Sequence, residues 1–107
     1  MTKCEFFRDG GRITGFSISG HSGYAEAGSD IVCAAVSAVV GMADATINDV
    51  CGGKAKVRVK EADTRITLTL PTVCEEEEAI QAVLAGMMLY LLNLRDDYSD
   101  YIEVLEV

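Results

Sequence analysis

With one histidine among 107 residues, and with Cys4, Cys33, Cys51 and Cys74 scattered so that none forms a CxxC pair, the chain offers no ligand spacing for a zinc site. Neither a metal nor a cofactor is expected. Wide cysteine spacing without an export signal also argues against a disulfide framework. Met1 to Glu5 lack the apolar run of a secretory signal. No stretch of about 20 uninterrupted apolar residues suggests a bilayer span. The expectation is a cytoplasmic protein with no membrane partner. Basic residues are scarce, nine against 17 acidic ones, for a formal net charge of −8. That field repels phosphate, which sets nucleic acid aside as a direct partner, and it attracts basic proteins.

Apolar residues make up 50% of the chain. That is enough for one small core, so residues 1–107 read as a single domain. Lys3 to Arg8 and Arg12 to Gly20 read as strands around an Asp9-Gly10-Gly11 turn. Gly15 marks a bulge or a close backbone approach. A helix of about five or six turns runs from an Asp30 N-cap to Cys51, stops at Gly52-Gly53, and is apolar enough to need cover on more than one face. Lys54 to Lys60 and Thr64 to Leu70 form a second hairpin, with Ala55, Val57 and Val59, then Ile66, Leu68 and Leu70, on one face. Thr72 and Glu75 form a capping box that opens a second helix, which ends near Arg95, and Tyr101 to Val107 is a last strand. The order is ββαββαβ: an α+β fold with a mixed, mostly antiparallel sheet of about five strands and two helices packed on it.

One segment points to chemistry. Gly20 to Ser29 is a glycine-rich loop carrying His21, and Cys33 follows it at the third position of the helix that Asp30 caps. The free N–H groups of a helix's first turn favour a thiolate, and about nine residues of flexible chain allow His21 to fold back and take the thiol proton. Asp30 has two readings, helix cap or orienter of His21. Ser37, one turn after Cys33, either hydrogen-bonds substrate or bonds its own helix backbone.

Gly20-His21-Ser22-Gly23-Tyr24, followed by Gly28-Ser29-Asp30-Ile31-Val32-Cys33-Ala34-Ala35-Val36-Ser37, resembles the signature of the bacterial ribosomal-processing cysteine protease family, Prp. Ser22 stands where that family is expected to carry alanine most often. The resemblance implies a cysteine endopeptidase that removes the short N-terminal extension of large-subunit ribosomal protein twenty-seven. Carried onto this chain, it makes Cys33 the nucleophile and His21 the general base and later acid. Asp30 and Ser37 become supporting or substrate-positioning residues. It further implies a homodimer and a mobile loop containing Gly20, Gly23 and Gly28. Helix-start N–H groups could then stabilise the oxyanion. Two other readings compete. One is a non-catalytic dimeric ribosome-associated interaction module, and the other a redox enzyme, for which no resolving cysteine lies near Cys33.

Overall fold

A computed structural model of the chain describes residues 1–26 and 30–107. Its elements follow the expected ββαββαβ order: β1 (Thr2–Asp9), β2 (Arg12–Ser19), α1 (Ile31–Asp44), a π-helical turn (Ala45–Val50), β3 (Lys56–Lys60), β4 (Arg65–Thr69), α2 (Glu77–Asp97) and β5 (Ile102–Glu106). The sheet runs β3-β4-β2-β1-β5, with β5 parallel to β1 and the other pairs antiparallel. Alternate strand residues therefore share a face. Cys4, Phe6, Phe16, Ile18, Leu68, Ile102 and Val104 join Val32, Val36, Val40 and Ala43 of α1 and Ile80, Leu84, Met87 and Leu91 of α2 in one buried cluster. Both helices thus lie on one side of the sheet. On the other side Arg65 donates from Nη1 to Ser17 Oγ at 2.6 Å, with Glu5 3.9 Å from the same nitrogen.

Gly15 combines both expected roles. Phe7 pairs with Gly15 and Arg8 with Ile13, so Thr14 is the extra residue of a bulge. A Cβ at position 15 would also collide with the Leu68 carbonyl oxygen of β4. From α2 the Gln81 amide clamps this irregular stretch, accepting from the Ile13 N–H and donating to the Ile13 carbonyl, each at 2.8 Å.

The first helix departs from expectation in its cover and at its end. Ile31–Val50 is long and apolar enough to cross a membrane, yet Val32, Val36, Val40, Ala43 and Ile47 are buried in the core. The chain covers only that stripe, and Ala34, Ala38, Gly41 and Met42 remain exposed. After Asp44 the coil widens into a π turn, with the Cys51 N–H reaching the Thr46 carbonyl at 2.9 Å, and Gly52 at φ 63° ends it.

The second helix starts later than the capping box suggests. Thr72 and Glu75 do not cap it; α2 begins at Glu77, after Glu76 in a left-handed conformation at φ 56°. Arg12 holds the preceding chain against β2 instead. It donates to the Pro71 carbonyl at 2.8 Å, to Cys74 Sγ at 3.6 Å, and to both carboxylate oxygens of Glu77 at 2.8 and 3.1 Å. A local cap cannot compete with that set of long-range bonds, most of them charge-assisted. On β3 only Val57 of the expected face is half-buried among the strand's residues, and Val59 is 66% exposed. β3 is an edge strand, and its alternating Lys56, Arg58 and Lys60 keep that edge from pairing with another chain.

Candidate active site

β2 ends at Ser19 beside β1, and the chain turns at Gly20. Its φ of 83° favours glycine, and a side chain there would put its Cβ 2.5 Å from the Met1 carbonyl oxygen. Gly23 is also left-handed, at φ 74°. Gly28 lies outside the described residues. This turn carries the loop across the N-terminus of α1. There Asp30 takes extended backbone angles and its Oδ1 accepts the Cys33 N–H at 2.9 Å, the N-cap bond expected of it. Its Oδ2 accepts the hydroxyl of Ser22. Ser22 in turn donates its backbone N–H to Cys33 Sγ at 3.4 Å, and Sγ lies 3.5 Å from Ser22 Oγ. Ser22, Asp30 and Cys33 form one connected network.

The hydrogen bond from Ser22 holds the Asp30 carboxyl down at about 2, against its ordinary 3.8. Burial opposes the shift, and N–H groups of Cys33 and Ala25 add to it. Because the folded value lies below the unfolded one, ionised Asp30 stabilises the fold fully above 3.8, and that contribution disappears as pH falls towards 2. Wild type should therefore be more stable than Asp30→Asn near neutrality, and the gap should close across that acid window. Urea unfolding of both proteins at a series of pH values checks it; a gap independent of pH would contradict the assignment.

Cys33 opens onto a cleft of about 840 Å³. His21, Gly23 and Ala25 come from the loop, Asp30, Cys33, Val36 and Ser37 from the start of α1, and Val59, Lys60, Glu61, Thr64, Arg65 and Ile66 from the β3–β4 hairpin. Ser37 thus lies on the same wall as Cys33, one turn on. Among the described residues no hydrogen bond joins His21 to Cys33; His21 is exposed and Cys33 half-buried. A smaller groove of about 280 Å³ continues the cleft, sharing Ile18, Val36, Ser37 and Ile66 and adding Val40 and Gly41. The hairpin wall carries no motif that would link it to the loop in sequence.

The other thiols are set differently. Cys4 is fully buried in β1, and burial pushes it up to about 12. Cys74 meets Arg12 beneath α2, and Cys51 ends the first helix.

A family model described as cysteine protease Prp matches residues 1–103. The chain belongs to this family. It is accordingly a cysteine protease. The ribosomal processing cysteine protease Prp of Bacillus subtilis (strain 168) is 30% identical over 94 residues, which cover 86% of this chain and 84% of that protein. The fold is also that of the S. aureus ribosomal processing protease Prp, solved with a covalently linked product peptide. It matches with a TM-score of 0.89 at 22% identity, both chains being covered in full. A protein from Streptococcus mutans matches with a TM-score of 0.87 at 23% identity, covering 100% of this chain and 94% of that one. For a Prp-family protease, the loop, the start of α1 and the β3–β4 hairpin enclose Cys33, the only cysteine that lines this cleft among the described residues.

Proposed function

We propose that the chain removes the N-terminal extension of large-subunit ribosomal protein twenty-seven, acting in the cytoplasm as a homodimer, with Cys33 as nucleophile and His21 as general base and acid. The observation that carries the proposal is that Cys33 and His21 line one cleft, with the sulfur at a capped helix N-terminus. The likeness to relatives named for ribosomal processing supports the substrate class. In this reading the sulfur attacks the scissile carbonyl carbon and the thiol proton passes to His21. His21 then gives that proton to the departing amine as the C–N bond breaks, leaving a thioester. Water, deprotonated by His21, hydrolyses the thioester and restores the thiol.

The Cys33 N–H is held by Asp30 Oδ1, and the Ala34 N–H by the Asp30 carbonyl at 3.0 Å, so neither is free for the oxyanion. Ile18, Val36, Val59 and Ile66 give the cleft an apolar floor suited to apolar peptide side chains. The exposed Ala38 and Met42 of α1 lie outside the cleft and its groove and leave apolar surface for the proposed dimer. Ser37 and Asp30 enter as supporting residues, and the glycines of the loop allow it to open for the peptide.

Incubating the purified protein with a peptide that spans the extension junction should release two fragments, seen by mass spectrometry. An intact peptide, or cleavage that survives complete alkylation of Cys33, would sink the proposal.

A further inference from the structure

Ser22 has a use that its expected replacement by alanine would not predict. Its side chain is buried, 2% exposed, in a loop whose neighbouring His21 and Gly23 are both exposed. A serine hydroxyl has one proton to donate and two lone pairs to accept with, and here all three are engaged. The proton goes to Asp30 Oδ2, and the oxygen accepts the Tyr24 N–H at 3.2 Å and faces Cys33 Sγ at 3.5 Å. Tyr24 is itself braced edge-on between Tyr98 and Tyr101, with ring centroids 5.5 and 5.1 Å away.

We infer that Ser22 is a positioning residue that locks the loop carrying His21 to the helix cap carrying Cys33, acting through Asp30. The inference rests on the reading of Cys33 and His21 as nucleophile and base. His21 is the adjacent residue, so whatever fixes Ser22 fixes the point from which the imidazole swings. A hydrogen bond to an ionised carboxylate is stronger than one between neutral groups and keeps the angle between loop and helix narrow. Without the hydroxyl, the backbone N–H of Ser22 still reaches Sγ, but the tie to Asp30 is gone and Tyr24 loses its acceptor. The loop then samples arrangements in which base and thiol are not aligned. A misalignment of about 1 Å costs up to about a hundredfold in rate.

The test is a cleavage assay on wild type, Ser22→Ala, Asp30→Asn and the double variant, with melting temperatures alongside. Ser22→Ala should lower kcat about tenfold or more with KM within about twofold, since alignment rather than peptide binding is lost. In the Asp30→Asn background the same change should cost much less, because the two residues act as a unit. A wild-type kcat in Ser22→Ala, or equal losses in both backgrounds, would overturn the inference. Cys33→Ala run in parallel keeps the two levels apart. Turnover in Cys33→Ala removes the underlying reading, whereas an inactive Cys33→Ala beside a wild-type-like Ser22→Ala removes only the role of Ser22.

Discussion

Cys33→Ala is expected to lower peptide cleavage by about 10⁴- to 10⁶-fold, while Cys51→Ala and Cys74→Ala keep the wild-type rate. Removing Sγ takes away the only thiol that reaches the cleft among the described residues. The change leaves the fold alone. Alanine is the best helix former, its N–H still bonds Asp30 Oδ1, and Cys33 is not part of the buried core cluster. Loss of activity with an unchanged melting temperature would therefore report chemistry. Fragment release followed by chromatography, with thermal melts of the same samples, checks it. Appreciable turnover in Cys33→Ala would rule out the thiol as nucleophile.

The parts of the fold legible in sequence were those decided by neighbours along the chain. Asp30 caps α1 through the side-chain bond expected of it, and Gly52 ends the first helical run with a positive φ. Gly10 turns the first hairpin in the same way, at φ 63°. The start of α2 was misread because its determinant, Arg12, belongs to β2, and no window around Thr72 and Glu75 contains it. The same distance in sequence hid the strand order. It also hid the hairpin wall of the cleft, where the Gly20 N–H reaches the Thr64 carbonyl at 3.0 Å only once β4 pairs with β2.

The candidate site shows the same division. The segment from Gly20 to Ser37 pointed to His21, Cys33 and Asp30, and all three line one cleft. Its content was partly hidden even there. Ser22 looked like a small residue in a glycine-rich loop, and only the folded loop brings its hydroxyl to Asp30 and its N–H to Cys33. Asp30 caps α1 and also links the loop to the helix.

Phe16→Ala should be the most damaging core truncation, costing about 3–5 kcal/mol against a total stability of about 5–15 kcal/mol for a domain of this kind. Phe16 is fully buried at the middle of β2, the central strand. It pairs across the ladder with Phe6 of β1 on one side and Leu68 of β4 on the other, and its ring centroid is 6.0 Å from that of Phe6. Nothing nearby can close the resulting cavity cheaply. Gly15 has no side chain to move in, and the Thr14 bulge is pinned through Ile13 by Gln81. Urea unfolding should show a lower midpoint with an unchanged slope, whereas Val59→Ala on the exposed edge strand should stay within about 0.5 kcal/mol of wild type. A Phe16→Ala midpoint as close to wild type as that of Val59→Ala would mean that the core relaxes around the loss. β2 leads directly into Gly20 and His21, so a truncation tolerated in that way would leave the site's platform free to shift, and peptide cleavage would fall even though the fold survived.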